Sequence, residues 1–469
     1  MILSFKFKAI FSDRRIVMNN FKTIILAAGK GTRMKSKLPK VLHKVCGKTM
    51  IECVIDEAVK TGSEGICVVV GDKAENVKES LEGKNVEFAL QAEQLGTGHA
   101  VMQAADFIEN EKDVIVLYGD TPLIKAETLE KLVSFHREKN NGVSIISAIV
   151  ENSAGYGHII RDKDGKFVKN VEYKDATEEE KLVKEINTGI YCFKGSSLKN
   201  ALSKITNDNA QGEYYLPDAL EIILKSGEGV DAMAADDADE FAGVNSRIQL
   251  AEAEKIMRER INTFHMSNGV TIIDPATTYI EADVEIGMDT IIYPGCVLEG
   301  KTVIGEDCKV GPSCRLTDMT LSDDVTIQFT TALESSIDSG TKVGPYAYIR
   351  PNCKIGKNIK VGDFVEVKNS TIGDGTKISH LTYIGDSDCG ERINFGCGTV
   401  TVNYDGKKKF RTTIEDDVFI GCNANLVAPV TLKKGSYVAA GSTITKEVPE
   451  KNLAVARSRQ VNIEGWKKK

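Results

Sequence analysis

Three groups of residues have types and spacings suited to chemistry. The first is Ala27-Ala28-Gly29-Lys30-Gly31-Thr32-Arg33-Met34, directly after the apolar run Thr23-Ile24-Ile25-Leu26. A glycine-rich turn after a strand lets backbone N–H groups approach phosphate oxygens. The spacing is neither G-x-x-x-x-G-K-[ST] nor G-x-G-x-x-G, so it is not a P-loop or a dinucleotide fingerprint. A tight strand–helix turn without a ligand is the plain alternative. Leu38-Pro39-Lys40-Val41-Leu42 then places Lys40 where a second phosphate contact could sit. The second group is Tyr118-Gly119-Asp120, closing an apolar run. A strand-end aspartate lies where open α/β sheets bind ligands, and one carboxylate with one amide oxygen suffices for magnesium. Taken alone, such an aspartate is more often a turn or cap residue. The third is His380, the only histidine after His265. Imidazole near neutral pH suits a general base, whereas a lone surface histidine is ordinarily a solvated side chain. His99 and His158 read as structural.

Two textures must position these groups. Residues 21–246 alternate short β-branched runs (23–28, 65–71, 113–119, 142–150) with helical patterns such as 49–61 and 123–139. That alternation predicts an α/β domain with a largely parallel sheet. Residues 247–262 form an amphipathic connecting helix, ending near Ser267-Asn268-Gly269. Beyond it, aliphatics recur every six positions: Ile280, Ile286, Ile292, Leu298, Ile304, Val310, Leu316. The register resumes at Leu321, Ile327, Leu333, again from Ile337 to Val367, at Ile372, Ile378, Ile384, and from Ile414 to Ile444. A period of six fits a parallel β-helix, one inward aliphatic per flat side. Glycine follows many of these aliphatics (Gly287, Gly305, Gly421), and we expect it to take tight corners with positive φ. The period fails before Ile414, so residues 396–413 are expected to be a loop ejected from the coils.

Composition excludes several classes. The 469 residues are 42% hydrophobic and 27% charged, as in ordinary globular proteins. A net charge of −7 argues against a nucleic-acid binder. No apolar run is long enough for a transmembrane helix. Eleven scattered cysteines without C-x-x-C pairs read as reduced thiols of a cytoplasmic protein; Cys192, Cys296, Cys314 and Cys353 are expected to be small core or surface residues. Met1 to Ile10 makes a poor signal peptide. Residues 1–20 are expected to be a disordered extension, with Met18 the natural start. Length suggests roughly three domains. The patterns resolve them into a 21–246 domain, a 247–267 helix and a 268–469 domain.

L-A-A-G-K-G-T-R-M followed by L-P-K-V-L resembles the signature of sugar-nucleotide pyrophosphorylases. The Ala27-Ala28 form, with Gln91-Ala-Glu-Gln-Leu-Gly96-Thr97-Gly-His downstream, is similar to uridylyl enzymes acting on N-acetylglucosamine 1-phosphate. Joined to hexapeptide repeats, residues 21–460 resemble the bifunctional UDP-N-acetylglucosamine pyrophosphorylase/glucosamine-1-phosphate N-acetyltransferase family. The resemblance implies a Rossmann-like α/β nucleotidyltransferase domain and a left-handed parallel β-helix. It implies UTP and acetyl-CoA as co-substrates, Mg2+, a homotrimer, no membrane span and a cytoplasmic enzyme of cell-envelope precursor synthesis.

By that resemblance, Leu26, Ala27, Ala28 and Gly29 contact uridine and phosphates, with Arg33 and Lys40 on phosphate. Gln91, Gly96 and Thr97 read uracil or ribose. Tyr118 and Gly119 lead to Asp120, which with Asn245 holds Mg2+. Gly157, Glu172 and Asn187 hold the sugar. His380, in S-H-L-x-Y-x-G-D, is the base that frees the amine for attack on the thioester. Arg350, Lys368, Tyr383 and Asn394 hold glucosamine 1-phosphate. Cys397, Asn403, Tyr404, Cys422, Ala440 and Arg457 line the acetyl-CoA site. Members commonly carry alanine near Cys397 and serine at Cys422; both replacements are small, though the resemblance no longer implies a hydroxyl contact at Cys422. The Lys467, Lys468, Lys469 tail reads as a solvated end. A single-activity pyrophosphorylase with a regulatory or oligomerising β-helix, as in ADP-glucose pyrophosphorylases, is the competing reading. His380, Lys368 and Asn403-Tyr404 disfavour it. A non-catalytic solenoid scaffold conflicts with the phosphate loop and Asp120.

Overall fold

The computed structural model describes residues 20–209 and 211–466. The expectations for the N-terminal extension before residue 20 and for the lysine tail lie outside the described residues. The chain divides into two units, Met1–Met257 and Arg258–Lys469. The boundary falls inside the helix Arg247–Ser267. In the first unit its Ala253 packs with Val45, Met50, Leu123 and Val244. In the second, Ile261 packs against the β-helix core.

The first unit is built on a twisted sheet. Its strands run Val230–Ala234, Val143–Ile149, Glu185–Lys194, Asp113–Tyr118, Phe21–Ala27, Ile66–Val70, Glu87–Leu90 in spatial order. All pair in parallel except Glu185–Lys194, which is antiparallel to both neighbours. Both faces are covered, so central strands read as unbroken apolar runs. Alternation along Phe21–Ala27 sends Ile24 and Leu26 into one core and Ile25 and Ala27 into the other. Helix Met50–Lys60 is fixed by a capping box between Thr49 and Glu52. The helix Ala126–Lys139 begins three residues later than the pattern suggested, where the Glu57 carboxylate accepts the Ala126 N–H. Leu26 pairs with Tyr118, so the glycine-rich turn and Tyr118-Gly119-Asp120 leave the sheet side by side.

The second unit is a parallel β-helix. Strands of two or three residues pair with strands about one coil later: Ile286 with Ile304, Ile292 with Val310, Leu298 with Leu316. Three six-residue sides make one coil, which is the physical origin of the period. The periodic aliphatics form one continuous core, with three corrections to the sequence reading. Leu333 is half-buried, and Ala332 takes the inward position. The segment 396–413 is not ejected as a whole: Val400–Val402 stays in the stack, paired with Asn425–Val427. The aliphatic period failed there because Phe395 and Thr401 occupy inward positions. Only the stretch around the Tyr404–Lys409 bridge leaves the coils. Glycine also has a different role. Positive φ at many corners belongs to Asp289, Asp307, Asn358 and Asp417, whose side chains tolerate it. Gly287 is required by close approach, since a Cβ there would lie 2.7 Å from the Gly305 backbone. Gly287→Ala is therefore expected to destabilise the β-helix by roughly 1–3 kcal/mol. Thermal unfolding checks this, with the first unit's transition unmoved.

Candidate active sites

In the first unit, a cleft of about 280 Å³ opens where the central strands end. It is lined by Leu26, Ala27, Ala28, Gly29, Lys40, Gln91, Gly96, Thr97, Tyr118 and Asp120. Ten of the residues assigned to nucleotide binding thus converge. Gly119 stands behind them, its N–H donating to the Leu26 carbonyl at 2.9 Å. Gly96 has φ of +107°, and a Cβ there would lie 2.5 Å from the Tyr214 carbonyl oxygen, so only glycine fits. His99 has a positional part: the Gln91 amide nitrogen lies 3.1 Å from its Nδ1 and 3.0 Å from the Gly96 carbonyl oxygen.

A charged knot sits at the mouth. The Lys40 ammonium contacts the Asp120 carboxylate and donates to Asn245 Oδ1 at 3.0 Å. Arg33 donates to the same Asn245 oxygen at 2.9 Å. The Val244 N–H donates to the Asp120 carbonyl at 2.9 Å, tying this segment to the strand end. Two hard oxygens, Asp120 Oδ2 and Asn245 Oδ1, therefore converge on one cation, the Lys40 ammonium. That donor set fits magnesium.

A second cleft of about 670 Å³ shares Thr97 and Tyr118 with the first and holds Glu172. Asn187 donates to Asn170 Oδ1 at 3.2 Å and to the Tyr191 hydroxyl at 2.9 Å, and its N–H donates to the Gly157 carbonyl. A Cβ on Gly157 would lie 2.9 Å from Asn170 and 3.1 Å from Glu172, so this glycine keeps the sugar-side wall open. Burial pushes the Glu172 carboxyl up, against the opposing hydrogen bond from Asn170. Gln94, Glu213 and Tyr215 also line the clefts. Sequence reasoning missed them because they lie on irregular loops without periodicity.

In the β-helix, His380 occupies a corner. Coil stacking places Asp363 in register with it. The His380 Nδ1 lies 2.7 Å from Asp363 Oδ1, and this bond holds the Asp363 carboxyl below its usual range. Asp363 was missed: its partner lies 17 residues away, a spacing that becomes meaningful only once the coil length is known. The column continues one coil on to Cys397, then Cys422, then Ala440. The pairings Ile378–Phe395 and Phe395–Ile420 set that order, and the Gly421 and Arg457 contacts with Ala440 extend it.

On the flat side after this corner, Arg350 pairs with Glu366 at 2.9 Å and Lys368 lies 3.6 Å from Asp386. Tyr383 receives a 3.3 Å hydrogen bond from Asn403, which also donates to Asp386. Burial raises the Asp386 carboxyl, but bonds from Asn369 and Asn403 outweigh it and leave it lowered. The projecting loop brings Lys409 against Lys368, whose like charge lowers it. Lys409 was also missed, because a lysine in Lys407-Lys408-Lys409 reads as a solvated run. Tyr404 is exposed on the same loop. Asn394 lies on the flat side before the corner, in register with Lys377.

A two-domain transferase is defined by this arrangement: a nucleotide cleft on an α/β sheet and a histidine on a hexapeptide-type β-helix. Residues 22–240 match the Nucleotidyl transferase family, and residues 276–318, 334–369 and 411–446 match the Bacterial transferase hexapeptide (six repeats) family. Bifunctional protein GlmU of Clostridium kluyveri is 55% identical across 94% of this chain and 97% of its own length. That of Thermoanaerobacter pseudethanolicus is 56% identical, covering 96% and 98%. That of Clostridioides difficile is 54% identical, also covering 96% and 98%. The chain belongs to the bifunctional GlmU family. It is accordingly a bifunctional enzyme of UDP-N-acetylglucosamine synthesis, with acetyltransferase and uridylyltransferase activities acting on small molecules, and its β-helix is left-handed. No helix among the described residues is long and apolar enough to cross a membrane.

The raised Glu172 carboxyl has a stability consequence. A folded-state pKa above the unfolded one favours folding least at high pH. Glu172→Gln is therefore expected to raise the melting temperature of the first unit at pH 8, by an amount that shrinks as pH falls through the carboxylate range. A gain that grows on acidification would contradict the burial account.

Proposed function

We propose that the two activities are carried by separate residue sets, each within one unit. In the first unit, Leu26 to Gly29 cradle the nucleotide, and Gln91, Gly96 and Thr97 read its base and ribose. Gly157, Glu172 and Asn187 orient N-acetylglucosamine 1-phosphate. An oxygen of its phosphate attacks the α-phosphorus of UTP, forming the new P–O bond as the bond to pyrophosphate breaks. Phosphoryl chemistry of this kind needs positioning and charge compensation more than a covalent protein group. Arg33 and Lys40 supply positive charge at the mouth, supported by the shared contacts with Asp120 and Asn245. Those two residues would hold Mg2+, which when bound offsets negative charge on the phosphates.

In the second unit, His380 takes the proton from the amine of glucosamine 1-phosphate as nitrogen bonds to the acetyl carbonyl carbon of acetyl-CoA. The CoA thiolate leaves. Asp363 accepts from Nδ1 and leaves Nε2 with the free lone pair, the division of labour of a carboxylate–histidine pair. Arg350, Lys368 and Lys409 bring three cations to one flat side, suited to a phosphate dianion. Tyr383 and Asn394 complete the sugar site. Asn403, Tyr404, Cys397, Cys422, Ala440 and Arg457 line the acetyl-CoA path. Acetyl transfer precedes uridylyl transfer, because the second step consumes the acetylated sugar.

A homotrimer fits two further observations. Asn394 and Tyr383 lie on different flat sides, so a neighbouring copy could bring such residues together. Phe329, Tyr346, Phe364 and Leu381 form an exposed apolar stripe down the corner column, all with positive φ. Bulky residues seldom adopt that backbone, and an interface explains their retention. The enzyme is proposed to be cytoplasmic, without a nucleic-acid partner.

The Asp363–His380 contact carries the acetyl-transfer assignment. Incubation with glucosamine 1-phosphate and acetyl-CoA, without UTP, should release CoA thiol. His380→Ala should slow that release by roughly 10²–10⁴-fold and spare UDP-sugar formation from N-acetylglucosamine 1-phosphate. Asp363→Asn should lower kcat more than it raises KM, since the imidazole loses the carboxylate that holds its orientation and tautomer. Conversely, Asp120→Asn should cost roughly 10²–10³-fold in UDP-sugar formation and spare CoA release. Retained UDP-sugar formation in that variant refutes the metal role.

A further inference from the structure

Eleven cysteines are present in the chain, and nine are buried. The two exceptions, half-buried Cys397 and exposed Cys422, are in-register neighbours in the corner column, one and two coils beyond His380. The Asn423 N–H donates to the Cys397 carbonyl at 2.7 Å, so the two corners stack backbone on backbone. Paired parallel strands lie about 4.8 Å apart, within the roughly 4.4–6.8 Å between Cα atoms that a disulfide spans. Cys422 is exposed, so a small thiol can reach the bond and reduce it by exchange.

From this juxtaposition we infer that Cys397 and Cys422 are a reversible dithiol–disulfide site that switches acetyl transfer off under oxidation. The functional half rests on the reading of this corner as the acetyl-CoA path; the thiol chemistry does not. The oxidant is a small-molecule disulfide such as oxidised glutathione. The Cys422 thiolate attacks one of its sulfurs and expels the first small thiol. Cys397 then attacks the mixed disulfide at the Cys422 sulfur and expels the second. The two electrons go to the small disulfide, and the two protein protons end on the two released thiols. The resulting ring encloses the loop with Asn403, Tyr404 and Lys409, and fixes the corner next to the base. Cys296 and Cys314 provide an internal control: they are also in register, but 0% and 1% exposed, so the oxidant does not reach them.

The test uses the full-length enzyme, treated with oxidised glutathione, alkylated and digested. Peptide masses should show Cys397 joined to Cys422 with loss of two hydrogens, and Cys296 and Cys314 alkylated only after denaturation. Oxidation should lower CoA release roughly tenfold or more while UDP-sugar formation stays within about twofold, and dithiothreitol should restore it. In Cys422→Ser, the ratio of oxidised to reduced activity should approach that of a mock-treated sample, whereas Cys397→Ala should stop at the mixed disulfide on Cys422, seen by mass, with no internal link. Only mixed disulfides, or a link through other cysteines, overturns the pairing. A Cys397–Cys422 link with unchanged CoA release overturns the switch. A reduced enzyme with no CoA release would instead overturn the reading of the corner, while the peptide masses still decide the pairing.

Discussion

Coil-on-coil stacking in register is the constraint on which the second unit depends. Inward side chains, most of them aliphatic, sit on their counterparts one coil away, in one core from Val270 to Val448. Burial of these columns supplies the hydrophobic driving force. The same register aligns the outward corner residues. Asp363 meets His380 because Val361 meets Ile378 and Val365 meets Thr382 on either side. A one-residue slip would turn every core residue outward and separate the pair. Packing and chemistry are therefore fixed by a single geometric variable.

The α/β unit solves its positioning problem differently. Adjacent parallel strands end together, so turns distant in sequence become neighbours. Lys40, Asp120 and Asn245 are gathered from three connections and share one network of contacts. Charge compensation at this mouth is built before any nucleotide arrives. The sugar side carries a cost: Glu172 is held where its ionised form is disfavoured. Sites of this kind give up stability for a polar group placed in advance.

Much of this was legible in the sequence. The six-residue period gave the β-helix, because one flat side of a coil has that length. The glycine-rich turn, Lys40 and the Tyr118-Gly119-Asp120 strand end are legible from the residues themselves, whereas Gln91, Gly96 and Thr97 follow from the family resemblance. What stayed hidden depended on contacts across the coil. Asp363 looks like any surface aspartate until the coil length puts it under His380. Lys409 looks solvated until its loop folds back on Lys368. Leu333 seemed an inward residue because it is aliphatic, whereas the smaller Ala332 takes the place. Thr401 hid a coil from the period because a polar residue filled an inward position. Glycine was read for its φ freedom, while close approach between coils was the stronger demand at Gly287.

The central claim is that the stacked corner at Asp363 and His380 is where the amine is activated. A crystal structure with glucosamine 1-phosphate and a non-reactive acetyl-CoA analogue tests it most directly. The account predicts the sugar amine within hydrogen-bond reach of His380 Nε2, with its phosphate against Arg350, Lys368 and Lys409. An amine bound away from His380, with the imidazole facing only solvent, would contradict it.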